Sequence, residues 1–182
     1  MFVIHFRKGM AYPFFPLPMS EMSDRVVDAD LLWGNAFALL REQLCGIKQI
    51  DLKFHAVESF LLKHFHGKFM LNPAVDYALA EILRRPDQIN LRHISNKIGY
   101  SPKHFIDIFR QQVGITPKSY LKIIRFQKAI SEIEERKKAN WTNISQDCGF
   151  YDQAHFIKEF KAFSGFTPKE FYEKENVFFP EI

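Results

Sequence analysis

An internal repeat of about 50 residues is the feature that most restricts how this chain can fold. Segments that begin "LRHIS" and "WTNIS" carry glycine, proline and aromatic residues in the same order. Early matches, such as Gly99 with Gly149, are 50 positions apart, and later ones, such as Phe105 with Phe156, are 51 apart. Two copies are too few for a solenoid, so we interpret them as two copies of one supersecondary unit.

Each copy has the residues that a helix, a tight turn and a second helix require. Gly99 supplies a positive φ for the turn, Ser101 caps the next helix, and Pro102 occupies its first position. Phe105 and Phe109 are four residues apart and face the core. The second copy offers the equivalent set Ile144, Ser145, Gly149 and Asp152, with Phe156, Phe160 and Phe163 as the predicted buried side. This is helix-turn-helix construction, in which the second helix enters the major groove of DNA.

A long helix is predicted between the two copies, over residues 117–138, because this segment contains no helix breaker. About 20 helical residues span about 30 Å. Major grooves recur about every 34 Å along one face of B-DNA. We therefore predict that two recognition helices, at about residues 101–112 and 152–163, enter successive major grooves of one duplex.

The part of the chain before the repeat has a different pattern. Residues 2–7 alternate like a strand, residues 31–44 and 53–66 have helical periodicity, and Gly67 is a stop signal. We predict a mainly α fold with two helix-turn-helix subdomains joined by a linker helix, preceded by a small, incomplete α+β region. The predicted divisions are an N-terminal region at 1–68 and a second domain at 69–182, with helix-turn-helix units at 91–113 and 141–164.

Charge and cysteine content restrict the class of protein. Residues 91–182 hold 15 Lys and Arg against 11 Asp and Glu, whereas residues 1–90 are balanced. A basic excess on one domain is the electrostatic pattern of a phosphate-backbone partner. Cys45 and Cys148 are far apart and form no CxxC motif, which indicates a reducing, cytoplasmic location. No apolar run reaches the ~20 residues of a membrane span, so no membrane partner is expected.

Residues 73–175 resemble the DNA-binding domain of the AraC/XylS family of bacterial transcription regulators. The resemblance is carried by "ISNKIGYSPKHFIDIFRQQVGITPKSYLKIIRFQKA" and by "ISQDCGFYDQAHFIKEFKAFSGFTPKEF". The N-terminal stretch "FVIHFRKGMAYPFFPLPMSEMSDRVVDADLLWG" is similar to the tail of a sensor domain found in some of these regulators. The resemblance implies double-stranded promoter DNA, RNA polymerase, a small-molecule effector and a second copy of the chain as partners. The resemblance also implies that the chain activates transcription.

In this family, outward residues near the start of each recognition helix contact bases, and the resemblance places that role on matched positions here. Gln can bond adenine N6 and N7, and Lys can donate to guanine O6 or N7. Arg110, Lys161, two histidines and the lysines that open the next helices are expected against phosphate. The predicted DNA contacts are Lys103, His104, Ile106, Asp107, Arg110, Lys118, Gln153, Ala154, His155, Ile157, Lys158, Lys161 and Lys169.

One pair of matched positions differs in charge, with Asp107 in the first copy and Lys158 in the second. The family usually has a basic residue there. An acid facing DNA is electrostatically unfavourable, although it can accept a hydrogen bond from cytosine N4. We therefore expect the first copy to be the weaker or more selective of the two, and the second to be the stronger anchor.

Two other classes of function stay open. A DNA-repair or metal-dependent enzyme could use this DNA-binding unit, and Cys45 is then the only candidate nucleophile in the N-terminal part. A protein-interaction module, in which helix 31–44 or 53–66 pairs with a second chain, is compatible with DNA binding. His64 and His66 point apart on a helix, and Cys148 is expected to be a core thiol. We predict no enzyme activity, catalytic residue, metal site or cofactor.

Overall fold

The computed structural model describes residues 3–64, 70–135 and 140–173. Within them the chain forms one short 3-10 helix, at Tyr12–Phe14, and eleven α-helices. The α-helices are α1 (Met19–Met22), α2 (Ala29–Trp33), α3 (Asn35–Gly46), α4 (Ile50–His64), α5 (Pro73–Arg84), α6 (Leu91–Lys97), α7 (Pro102–Val113), α8 (Pro117–Glu135), α9 (Trp141–Asp147), α10 (Gln153–Ser164) and α11 (Pro168–Glu173). The described residues contain no strand, so the prediction of a mainly α fold is confirmed.

The chain divides into two compact units, which do not follow the order of the sequence. The first consists of residues 1–77 with 95–117, and the second of residues 78–94 with 118–182. The units therefore change within α5, again within α6, and after the first residue of α8. Each helix-turn-helix still keeps its second helix within a single unit, α7 in the first and α10 in the second.

Aromatic contacts organise the N-terminal part of the first unit. The Trp33 ring lies 5.2 Å from Phe15, 5.9 Å from Phe37 and 5.7 Å from Phe60, measured between ring centroids. Its indole N–H donates to the backbone oxygen of Phe14 at 3.2 Å. Tryptophan is well suited to this position because its large ring packs while its one donor is satisfied.

Two polar side chains attach other segments to α7 within the first unit. Ser23, which follows α1, donates from its hydroxyl to the backbone oxygen of Gly114 at 2.8 Å. Asn72 caps α5 through the N–H of Ala74, and its own N–H donates to Gln112 Oε1 at 2.8 Å. Asn72 is therefore the N-cap of α5, and it also holds the start of α5 against α7.

The core of the second unit is built on aromatic side chains from α8, α10 and α11. Phe160 is 1% exposed and contacts Phe126 at 5.0 Å, Phe156 at 5.7 Å and Phe171 at 5.5 Å between centroids. Cys148 is fully buried in the same cluster, which confirms its prediction as a core thiol. The cluster comprises Phe126, Ala129, Ile133, Ile144, Cys148, Phe150, Phe156, Phe160 and Phe171.

Three sequence predictions are wrong in detail. Residues 3–7 form no strand, because the described part of the chain offers no second strand to pair with them. The helix predicted over 31–44 is broken at Gly34, whose φ of 58° and ψ of −145° cannot continue a helix. Phe163 is 43% exposed, since only one face of its ring stacks, on Phe126 at 5.1 Å.

Some predictions fall on residues outside the described ranges. These are Gly67 as a helix stop, the 68/69 domain boundary, His66 of the histidine pair, and residues 136–138 of the linker helix. The described part of that helix, α8, is 19 residues long and contains no interruption.

Candidate DNA-binding surface

The start of α10 is fixed by a cap and by two buried rings. Asp152 accepts from the backbone N–H of His155 at 2.7 Å, as predicted for an N-cap. Phe156 and Phe160, one turn apart, are buried in the core of the second unit. Because one side of α10 is held in this way, the residues between the rings form a defined outer face.

That outer face carries the predicted base-contacting residues of the second copy. Ala154, Lys158 and Lys161 lie at positions i, i+4 and i+7, so they share one stripe, and all three are exposed. Gln153 is exposed at the first position of the helix. Within the described ranges no carboxylate pairs with Lys158 or Lys161. The stripe therefore presents two uncompensated positive charges.

The single acid of α10, Glu159, is neutralised from the other side. Its carboxylate pairs with Lys122 of α8, and at 3.3 Å with His155 Nε2. His155 is half-buried, and its ring lies 5.8 Å from that of Phe150. His155, one of the predicted DNA contacts in α10, is therefore paired with Glu159 and lies beside the exposed stripe, not on it.

α7 repeats the arrangement with a different charge pattern. Ser101 caps it by accepting from the N–H of His104 at 3.2 Å, as predicted, and its core-facing rings, Phe105 and Phe109, are buried. The stripe that matches α10 consists of Lys103, Asp107 and Arg110, all exposed. It carries a net charge of +1, against +2 for Ala154, Lys158 and Lys161.

The remaining predicted contacts differ in exposure. Ile106 is 40% exposed on α7, whereas Ile157 is half-buried and packs against the core of the second unit. Lys118 and Lys169, the second residues of α8 and α11, are exposed, and Lys169 lies 3.8 Å from Glu173. Eleven of the thirteen predicted residues are exposed, and the exceptions are His155 and Ile157.

A contact that periodicity does not predict joins the two helices of the second copy. The hydroxyl of Thr142, the second residue of α9, donates to Gln153 Oε1 at 3.2 Å. The two residues are 11 positions apart and lie on either side of the turn. Sequence spacing gives no signal for such a pair, because it depends on how the turn at Gly149 brings the helix starts together.

A second unpredicted group lies between α8 and the α5–α6 connection, within the second unit. Arg125 donates to the backbone oxygen of Pro86 at 2.8 Å. Lys128 lies 3.2 Å from the Asp87 carboxylate and also donates to the backbone oxygen of Asp147 at 2.6 Å. Burial lowers the pKa of Arg125, while the charges of Glu159 and Asp87 oppose that change. These bonds attach the connection to the end of α9.

In the described ranges no three His, Cys, Asp or Glu side chains come close enough to hold a metal ion. None of the helices seen there combines the length and apolar composition needed to cross a bilayer.

Comparisons with known proteins bear on the same part of the chain. A family model described as a helix-turn-helix domain matches residues 94–174. No curated protein is significantly similar in sequence. The C-terminal domain of AraT, a response regulator from Geobacillus stearothermophilus, shares the fold with a TM-score of 0.54 and 22% identity, over 59% of this chain and 89% of that domain.

Two further solved structures are similar. The DNA-binding domain of AdpA, a global transcriptional factor solved in complex with a target DNA, has a TM-score of 0.51 and 19% identity, over 56% of this chain and 91% of that one. The C-terminal domain of the two-component response regulator yesN from Fusobacterium nucleatum has a TM-score of 0.51 and 28% identity, over 56% of this chain and all of that one. Together with the repeat and its two capped helices, these matches show that residues 94–174 form a helix-turn-helix domain.

Proposed function

We propose that this chain is a sequence-specific, cytoplasmic transcription regulator that places α7 and α10 in successive major grooves of promoter DNA. One observation carries the proposal: the exposed stripe of α10, with Lys158 and Lys161 unpaired by any described carboxylate, recurs at matched positions on α7. A helix has the geometry for major-groove binding when one face packs in the core, the outer face is basic and the N-terminus is capped. The 19 residues of α8 span about 29 Å, close to one helical repeat of B-DNA.

The proposal assigns different roles to the exposed residues. Gln153, at the capped end of α10, and Lys158, in its first half, contact base edges. Lys161 and Arg110, one turn further along their helices, contact phosphate and fix the register on the duplex. Residues 69–182 form the DNA-binding domain, and residues 1–68 form a sensor and dimerisation region.

Selection of bound duplexes from a random pool tests the proposal. Two recovered motifs, about one helical repeat apart, are the expected result. Affinity for the recovered duplex should fall linearly on a log–log salt plot, with a slope of about −0.9 per phosphate contact. A pool that yields no sequence preference after several rounds would overturn the proposed function.

Alanine variants of α10 separate the assigned roles. Lys158→Ala and Gln153→Ala should reduce discrimination at particular base pairs by about tenfold, since each removes a base contact. Lys161→Ala should weaken binding to all duplexes alike and reduce the salt slope by about 1. Fluorescence anisotropy with a set of single-base-pair variants of the duplex measures both effects.

Lys48→Ala is the control for these variants, because Lys48 is exposed in the N-terminal part and its substitution removes the same charge. It should bind as the unmodified chain does. If Lys158→Ala and Gln153→Ala behave like Lys48→Ala, the assignment of base contacts to α10 is wrong.

We propose further that the chain is not an enzyme and that RNA polymerase is a partner. Elemental analysis of the purified protein for zinc tests the alternative of a metal-dependent repair enzyme. Transcription in vitro with and without the chain tests the polymerase and shows whether regulation is positive or negative. An activator raises transcript yield from a promoter that contains the selected duplex.

A groove between α3 and α4 is the proposed dimerisation surface. Its volume is about 590 Å³, and Leu39 and Leu52, which line it, are 59% and 50% exposed. Only three of the described residues before position 64 are buried, Pro13, Leu40 and Val57, so much apolar surface stays uncovered. α3 and α4 carry three basic and three acidic side chains, so one copy can face another without net repulsion.

Leu39→Glu should convert a dimer to a monomer, because it places a charge in the apolar groove. Sedimentation equilibrium measures the change, and Glu58→Gln, on the exposed side of α4, is the control. A monomeric unmodified chain at high concentration would contradict the dimer. It would leave a small-molecule effector as the candidate occupant of the groove.

A further inference from the structure

The hydrogen bond between Thr142 and Gln153 restrains a side chain that the proposed function assigns to base contact. Gln153 is exposed at the first position of α10, where its amide would otherwise rotate freely. Thr142 donates to Gln153 Oε1 at 3.2 Å from the start of α9. Asn140 in turn holds the start of α9, since its Oδ1 accepts from the backbone N–H of Thr142 and of Asn143 at 3.1 and 3.2 Å. The Thr142 end of the bond is therefore anchored.

The direction of this bond determines what Gln153 can offer to DNA. Bidentate contact with adenine requires the amide oxygen to accept from N6 while the amide nitrogen donates to N7. The Thr142 hydroxyl occupies one of the two lone pairs of Oε1 and turns that oxygen toward α9, while the NH₂ group keeps both of its donors for a base edge. An NH₂ donor matches an acceptor such as guanine O6 or N7.

We propose that Thr142 is a positioning residue that holds Gln153 as a hydrogen-bond donor, so that Gln153 selects a base with an acceptor edge, guanine over adenine. Thr142 acts through Gln153 and sets specificity without contacting the base. The inference rests on the proposed function, since it needs Gln153 at the DNA.

The first copy of the repeat has no residues that could form an equivalent hydrogen bond. The positions that match Thr142 and Gln153 are Arg92 and Pro102, and proline has no side-chain amide to orient. The inference is therefore specific to α9 and α10, and it is consistent with the second copy being the stronger anchor.

Four variants isolate the hydroxyl. Thr142→Val keeps the side-chain shape and removes the donor, while Thr142→Ser keeps the donor. Neither change removes the backbone bonds at this residue, in which the N–H donates to Asn140 and the carbonyl accepts from Ser145. Gln153→Ala, alone and combined with Thr142→Val, identifies the base pair concerned and shows whether the hydroxyl acts through Gln153.

Fluorescence anisotropy, with the duplex recovered by selection and its single-base-pair variants, is the measurement. Thr142→Val should reduce the preference for guanine over adenine about three- to tenfold, at the same base pair where Gln153→Ala reduces it. Thr142→Ser should retain the preference, and Thr142→Val should add nothing to Gln153→Ala. Unfolding midpoints of all variants should agree, because Thr142 is exposed.

The inference is overturned if Thr142→Val weakens binding to all duplexes equally. It is overturned as well if Thr142→Val still changes the base preference of the Gln153→Ala variant. It is also overturned if Gln153→Ala changes no base preference while the unmodified chain binds selectively, and in that case the proposed function stands. If the unmodified chain shows no sequence preference at all, both the inference and the proposed function are overturned.

Discussion

Gly149→Ala should lower the free energy of unfolding by about 3 kcal/mol, which is the largest stability effect we expect from a single methyl group. Gly149 has a φ of 78°, a conformation that costs an L-residue about 1–2 kcal/mol. A Cβ added there would also lie 2.4 Å from the Cα and 2.7 Å from the backbone oxygen of Asp87. Overpacking against atoms that cannot rotate away costs about 1–3 kcal/mol more.

Gly99 is the matched control, because it occupies the same turn in the first copy. Its φ is 72°, but a Cβ there would meet no atom within 4 Å. Gly99→Ala should therefore cost only about 1 kcal/mol, the backbone strain alone. Urea unfolding followed by circular dichroism compares the two variants. Equal destabilisation would show that the close approach to Asp87 does not contribute.

The repeat explains why so much of the DNA-binding part could be predicted from sequence. Positive φ at Gly99 and Gly149, and the caps at Ser101 and Asp152, depend on residues within four positions of each other. Such local requirements are visible in the sequence, and the two copies of the repeat agree at these positions. The structure confirms all four.

The N-terminal part was harder to predict because its elements depend on contacts that are remote in sequence. Residues 2–7 have the alternation of a strand, yet a strand exists only where a partner strand is present. Gly34 interrupts a continuous helical periodicity, and periodicity alone cannot show which φ and ψ a glycine adopts. The same limit applies to Phe163, whose spacing matches Phe156 but whose side chain is 43% exposed.

Within the candidate site, sequence predicted which residues are exposed better than how they are oriented. Lys158 and Lys161 lie on the outer stripe as expected from helical spacing. The pairing of Glu159 with Lys122 spans 37 positions and follows from the packing of α8 near α10, so it has no local signature. The pairing of His155 with Glu159 is between positions i and i+4 of α10, which helical spacing alone could have indicated.

Lys158→Asp should weaken binding to the selected duplex by about 100-fold, and Asp107→Lys should tighten it by about tenfold. The two residues are matched positions on α10 and α7, and both are exposed, so neither change disturbs a core. Losing a base contact costs about 1–3 kcal/mol, and an acid in its place adds repulsion from the phosphates. A lysine at position 107 reverses that repulsion and should make the salt slope steeper by about 1.

Two controls carry the same change of charge away from the recognition helices. Lys48→Asp matches Lys158→Asp, and Asp51→Lys matches Asp107→Lys, at positions that are exposed in the N-terminal part. Both should shift affinity by less than about threefold at 0.15 M salt, because the Debye length is then about 8 Å. If Asp107→Lys weakens binding instead, Asp107 accepts a hydrogen bond from cytosine N4, and the first copy contributes selectivity where the second contributes affinity.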